Sequence, residues 1–190
     1  MTGDGELGVL IVDDEAEVTA LYEEWLSTHR TFVAHDGREA LAVLDRRSEE
    51  IDVVLLDRKM PELSGSEVLE RIRSQAYNCR VAMITAVAPG YDIIEMSFDE
   101  YITKPVDGET LRRTVETLYN RAQYAETLTR YYSLVSTHSN LLAEHSYDDL
   151  CENDEFVSLE TEIESVRRNL DSSLEVGDHR EFQHVLRELR

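Results

Sequence analysis

Five short apolar runs, four of them stopped by a residue with useful chemistry, constrain this chain more than any other feature of its 190 residues. Gly8-Val9-Leu10-Ile11-Val12 ends at Asp13-Asp14, and Thr31-Phe32-Val33 is a briefer run. Ile51 to Leu56 closes on Asp57, Val81-Ala82-Met83-Ile84 on Thr85, and Tyr101-Ile102-Thr103 on Lys104-Pro105. Between the runs, apolar residues recur at helical spacing: Val18, Leu21, Tyr22, Trp25 and Leu26; Ala40, Leu41, Val43 and Leu44; Val68, Leu69 and Ile72; and a short piece near Ile93-Ile94-Met96. Unbroken apolar strands alternating with amphipathic helices predict an α/β domain, a five-stranded parallel sheet covered on both faces. Open sheets of this kind bind ligands at the carboxyl ends of their strands. Asp13, Asp14, Asp57, Thr85 and Lys104 are therefore expected to converge on one shallow site.

Taken singly, each of these residues has a plain explanation. Asp13 and Asp14 could cap the first helix, Asp57 and Thr85 could serve turns, and Lys104 could be a solvated charge. Together they describe chemistry. Three carboxylates repel one another unless a cation sits among them, and a small oxygen donor set suits Mg²⁺ with retained waters. A lysine and a hydroxyl beside them fit the clamping of a transferring phosphoryl group. One carboxylate can then act as nucleophile and become an acyl phosphate. Asp57, at the end of a central run and before a loop, is the candidate.

The last third of the chain follows another pattern. Asp107 is the expected N-cap of a helix, and no glycine or proline follows Gly108 until past His145. Leu111, Val115, Leu118, Ala122, Ala125, Leu128, Tyr132, Val135 and Leu142 fall near 3–4 spacing, which predicts one long helix. Residues 144–155 are acidic and broken in pattern, and read as a loop. Leu159, Ile163, Val166, Leu170 and Leu174 then repeat the stripe, so the two stretches predict an antiparallel helical hairpin. Gly177 is expected to end the second helix. Asp178-His179-Arg180-Glu181 resembles a capping box before a short helix carrying Phe182, Val185, Leu186 and Leu189.

Composition excludes several classes. Forty acidic residues against 19 basic ones give a formal charge of −21. The acid is distributed: residues 1–118 hold 25 acidic and 12 basic side chains, residues 119–190 hold 15 and 7. Such a surface argues against direct nucleic-acid binding. Only Lys59 and Lys104 are lysines, and distributed acid with almost no lysine points to a halophile, whose salt screens the repulsion. No apolar run approaches the roughly 20 residues of a membrane helix, and no secretory pattern opens the chain, so a cytoplasmic location is expected. Cys79 and Cys151 form no CxxC pair and read as free thiols, and the six histidines show no zinc-ligand spacing.

The segments VLIVDDE (9–15), VVLLDRKMPELSG (53–65), ITA (84–86) and YITKP (101–105) resemble a response-regulator receiver domain, CheY-like, over residues 7–120. The resemblance implies a flavodoxin-like fold with strand order 2-1-3-4-5. It implies that Asp57 accepts a phosphoryl group from a histidine kinase, with Mg²⁺ as cofactor. Asp14, Asp57 and the backbone carbonyl of Lys59 would hold the metal, with Asp13 acting mostly through water. The Thr85 hydroxyl, the Lys104 ammonium and the N–H groups of Lys59 and Ala86 would bind the phosphoryl oxygens. Tyr101 matches the switch aromatic of the family, and the Lys104–Pro105 bond is expected to be cis. The stretch from Thr85 to Lys104 is shorter than usual, so the helix between the fourth and fifth strands should be short or irregular. Residues from about 119 to 190 resemble the HalX domain through the helical pattern, TLYNRAQY (117–124) and the acidic context, and a helical output domain is expected over residues 121–190.

The resulting expectation is a two-component response regulator, a phosphoprotein rather than a dedicated enzyme, that signals by protein contact or self-association through a coiled-coil hairpin. A transcription regulator acting on DNA directly or through a partner is the alternative. No helix-turn-helix with a basic recognition helix, GGDEF, HD or ATPase motif is present. A phosphatase of the haloacid dehalogenase type needs a second aspartate two residues after the nucleophile, where this chain has Lys59.

Overall fold

A computed structural model describes residues 6–176 of the chain. Five strands form one parallel sheet: β1 (Gly8–Val12), β2 (Arg30–Ala34), β3 (Val53–Leu56), β4 (Arg80–Thr85) and β5 (Glu100–Thr103), in the order β2-β1-β3-β4-β5. The helices are α1 (Ala16–Trp25), α2 (Gly37–Arg47), α3 (Gly65–Ser74), α4 (Gly108–Glu144), α5 (Tyr147–Cys151) and α6 (Asp154–Val176). The expected order 2-1-3-4-5 and the α/β layering are both observed.

Strand residues alternate between two cores, and this is why the strands read as unbroken apolar runs. Leu10, Val12, Val54, Leu56, Val81 and Met83 face Ala40 and Leu44 of α2 and Val68, Leu69 and Ile72 of α3. Val9, Ile11, Val53, Leu55, Ala82 and Ile84 face Tyr22 of α1, Leu26 just beyond it, and Leu111, Val115 and Leu118 of α4. Both faces of the sheet are buried, as a parallel sheet requires. Helix starts are fixed locally: Asp36 accepts from the N–H groups of Arg38 and Glu39, Ser64 and Glu67 form a capping box, and Asp107 accepts from Thr110 N–H at 2.8 Å.

Some details differ from expectation. Strand β3 starts at Val53, because a 3₁₀ turn at Ser48–Glu50 precedes it, although Ile51 is still buried. Leu21, assigned to the apolar face of α1, is solvent-exposed. Between β4 and β5 only a 3₁₀ segment, Tyr91–Glu95, forms, which matches the short connection. The Lys104–Pro105 bond is cis, as expected.

The chain divides into two compact units between Tyr119 and Asn120. The second contains the rest of α4, then α5 and α6. The stretch 144–155, read as a loop, holds α5: Ser146 caps it by accepting from Asp149 N–H at 3.2 Å, and Leu150 is buried. Helices α4 and α6 form the expected antiparallel hairpin. His138 stacks on Phe156 with ring centroids 5.1 Å apart and meets Glu160 at 3.2 Å, while Arg130 pairs with Glu162 at 2.5 Å. Gly177, the Asp178–Glu181 box, the final helix with Phe182, Val185, Leu186 and Leu189, and the side chain of Leu174 lie outside the described residues. Among the described residues no helix is long and apolar enough to cross a membrane.

Candidate functional site

The carboxyl ends of β1, β3, β4 and β5 bring Asp13, Asp57, Thr85 and Lys104 together. The pairing of β1 with β3 sets Asp13 beside Asp57, and backbone bonds fix both: Asp13 N–H donates to Ala34 O at 3.2 Å and Asp57 N–H to Val12 O at 2.8 Å. On the other side, Lys104 N–H donates to Thr85 O at 2.8 Å. The Lys104 ammonium then reaches back across the sheet edge, donating to Asp13 Oδ2 at 2.6 Å and lying 3.1 Å from Asp57 Oδ1. The second oxygen of Asp57 accepts from Lys59 N–H at 2.6 Å, and Asp13 Oδ1 from Glu15 N–H at 3.1 Å.

These side chains are largely withdrawn from water, with Asp13, Asp57 and Thr85 only 2%, 6% and 1% exposed. Burial pushes the Asp57 carboxyl above its ordinary value, against the opposing pull of Lys104 and the Lys59 N–H. Burial would push Lys104 down, but the bond to Asp13 and the charges of Asp57 and Asp13 outweigh it, so the ammonium is held more firmly than usual. The two directions are compatible because one cation serves two carboxylates: Lys104 gains from both, whereas Asp57 gets a share of one ammonium and a like-charged neighbour. Asp14 is solvent-exposed. Among the described residues no three His, Cys, Asp or Glu side chains stand close enough to hold a metal ion. The gathered set is two carboxylates and an ammonium, with Asp14 beside it in the chain. Mg²⁺ needs only one or two carboxylates, its remaining positions being filled by water and phosphate oxygens, so the donor chemistry fits it.

The loop after Asp57 approaches closely. A Cβ on Gly65 would come within 2.0 Å of the Asp57 carbonyl, and Gly65 N–H donates to Arg58 O at 3.0 Å. Tyr101 is half-buried against Phe98, ring centroids 5.4 Å apart, and its hydroxyl donates to Val87 O at 2.8 Å. Val87 N–H in turn donates to Thr85 Oγ1 at 3.3 Å. Val87 thus ties Thr85 to Tyr101, a link no side-chain pattern could reveal because both of its contacts are backbone. Tyr22, which periodicity marks only as a core residue, also belongs to the surroundings of the site. It is buried, its hydroxyl is pushed up to about 12 chiefly by burial, and the charges of Lys104, Asp13 and Asp57 all act on it. The signal in the sequence is the polar tip of Tyr22 in the apolar stripe of α1.

Residues 9–116 match the family model described as the response regulator receiver domain. The chain belongs to the response-regulator receiver family. Residues 120–186 match the HalX domain, so a HalX domain follows the receiver. A Haloferax volcanii protein named as a transcriptional regulator is 39% identical over 87% of this chain, which spans 28% of that relative. The transcriptional regulatory protein CpxR of Klebsiella pneumoniae is 34% identical over 62% of this chain and 51% of its own length. The chain thus spans about half or less of these curated relatives. Among solved structures, the CheX-CheY-BeF₃-Mg complex from Borrelia burgdorferi matches with a TM-score of 0.54 and 30% identity, over 60% of this chain and 89% of that one. Receiver domains generally bind Mg²⁺ for phosphorylation and are regulatory phosphoacceptors.

Proposed function

We propose that this chain is a cytoplasmic two-component response regulator in which residues 7–120 accept a phosphoryl group from a histidine kinase on Asp57 and residues 121–190 carry the output by protein contact. The observation that carries the reading is the Lys104 ammonium, held between the largely buried Asp13 and Asp57 at 2.6 and 3.1 Å. A cation bound there to two carboxylates stands ready to exchange a carboxylate oxygen for a phosphoryl oxygen. An Asp57 oxygen attacks the phosphorus of a phosphohistidine; the P–O bond forms as the P–N bond breaks, and the departing imidazole takes up a proton. The Lys104 ammonium, the Thr85 hydroxyl and the N–H groups of Lys59 and Ala86 receive the three phosphoryl oxygens. Asp13, Asp14, Asp57 and the Lys59 carbonyl are the residues that would hold Mg²⁺, whose charge lets an anion approach these carboxylates. Movement of Thr85 toward the phosphoryl group alters its bond with Val87, and Tyr101, bonded to the same residue, follows.

Incubation with acetyl phosphate and Mg²⁺ is expected to add one phosphoryl group, read by intact mass, and EDTA is expected to stop it. An Asp57→Ala variant labelled to the same extent would refute the assignment. The names of the relatives favour a second reading, transcription control on DNA. A gel-shift assay at high salt separates the two, since contact with protein alone leaves DNA unshifted.

A further inference from the structure

Helix α4 carries two apolar stripes within the hairpin unit, one turned toward α6 and one whose outer positions are open to solvent. The first, Tyr131, Leu134, His138 and Leu141, runs on the side of α4 that meets α6, through the His138 contacts with Phe156 and Glu160 and through the cleft that Leu141 shares with Phe156 and Leu159. The second is rotated from it by roughly a third of a turn. It comprises Ala125, Leu128, Tyr132, Val135, Ser139 and Leu142, an alternating 3–4 spacing over more than two heptads. Tyr132 is 65% exposed and Leu142 39%, with Ala125 and Ser139 also exposed, while Leu128 and Val135 at the inner edge are half-buried like the first stripe.

Charge says what covers it. The chain has 40 acidic residues, yet residues 127–143 contain none. The other long acid-free stretch, residues 71–91, includes the buried strand β4 and needs no further reason. Residues 127–143 lie on a largely exposed helix, and their one lysine or arginine, Arg130, is paired with Glu162. Around the second stripe the surface is Thr129, Ser133, Ser136, Asn140 and Ala143. The Thr129 hydroxyl turns back to the Ala125 carbonyl at 2.9 Å, so its hydrogen is satisfied within the helix. A basic partner would be recognised by acid, which this chain shows elsewhere and omits here. A second copy, itself at −21, can approach only where neither surface is charged.

We propose that this stripe is a homodimer seam, packing the outer face of α4 against the same face of a second copy in a two-fold arrangement. The proposal names the self-association partner of the output part and does not depend on phosphorylation of Asp57. The test is the mass of the full chain by sedimentation equilibrium in about 2 M KCl, where exposed charges are screened. The expected mass is twice the 21.9 kDa of the chain. Tyr132→Glu and Leu142→Glu, at exposed positions that leave helix content by circular dichroism unchanged, are each expected to weaken the dimer at least about tenfold, or about 1.4 kcal/mol. Val157→Glu, at an exposed apolar position on α6 outside the stripe, is expected to leave it intact. Asp57→Ala is expected to dimerise like the parent, so failure of the phosphoacceptor reading and failure of the seam are told apart. A parent chain that sediments as a monomer overturns the proposal and leaves the stripe to another occupant, such as residues 177–190. A dimer indifferent to both glutamate substitutions overturns it equally.

Discussion

Lys104 is one ammonium serving two buried carboxylates, so the cluster keeps an excess negative charge inside the fold. Asp57 is held above its ordinary carboxylate value, which fixes the sign of its linkage: its favourable contribution is complete at low pH and is lost as pH rises through the folded value. At neutral pH its charge therefore opposes folding. Asp57→Asn, measured without Mg²⁺ at pH 7, is expected to raise stability by about 1 kcal/mol, roughly 2–4 °C in Tm. Lys104→Ala leaves Asp13 and Asp57 facing each other unpaired and is expected to cost about 3–5 kcal/mol under the same conditions. Equal melting curves for these two variants would contradict the geometry. The thiols make a second residue-level test. Cys79 is buried and pushed up to about 11 by burial, whereas Cys151 is exposed. Iodoacetamide at pH 8 is expected to label Cys151 and spare Cys79 until the chain unfolds. Because the Cys79 value is raised, its contribution to stability should fall between about pH 9 and 11, and Cys79→Ala should flatten that fall.

At the scale of elements, the loop from Asp57 to α3 is set by close approach. Gly65→Ala places a methyl group 2.0 Å from the Asp57 carbonyl, so backbone must move. It is expected to destabilise the fold by about 1–3 kcal/mol and to slow acetyl-phosphate labelling of Asp57 with helix content retained. The elements themselves are legible in the sequence wherever burial is uniform. Strands β1, β3 and β4 are buried on both faces, so their sequences run apolar without a break and stop at the polar residue that lines the site. The 3₁₀ segment Tyr91–Glu95 is legible only through the family resemblance, against which the stretch from Thr85 to Lys104 is short. Helix α5 is not, since its five residues bury one apolar side chain, Leu150, and a single buried position has no period. Its cue is the Ser146 cap, which an acidic stretch conceals. The convergence of Asp13 and Lys104, 91 residues apart, follows from the neighbouring of β1 with β3, β3 with β4 and β4 with β5, at whose end Lys104 lies. Periodicity cannot give strand order, which comes instead through the family resemblance.

At the scale of the whole molecule, charge sets how stability responds to solvent. The net −21 is spread over both units, and several ion pairs lie at the surface: Arg30–Glu50, Arg38–Glu62 and Arg130–Glu162 all join well-exposed groups. Pairs of that kind contribute about 0–1 kcal/mol each and do not offset long-range repulsion among so many carboxylates. Repulsion acts over about 10 Å at 0.1 M salt and about 3 Å at 1 M. The buried cores do not respond to this screening, because their contacts are apolar and internal. The acidic surface does. Stability is therefore expected to climb steeply from 0.1 M to about 1 M KCl and then to level off once the screening length falls below the spacing of neighbouring charges. The hairpin should respond more than the receiver: among its described residues only Leu150, Phe156, Val166 and Leu170 are buried, against an entire two-sided sheet core in the first unit. Urea titrations at stepped KCl, followed by circular dichroism for helix and by Trp25 fluorescence for the receiver, separate the two responses. Helix signal lost at low salt before the Trp25 transition is the expected order. A melting curve unchanged from 0.1 M to 2 M KCl would exclude adaptation to salt, and the acid would then have to be explained by the partners this surface meets.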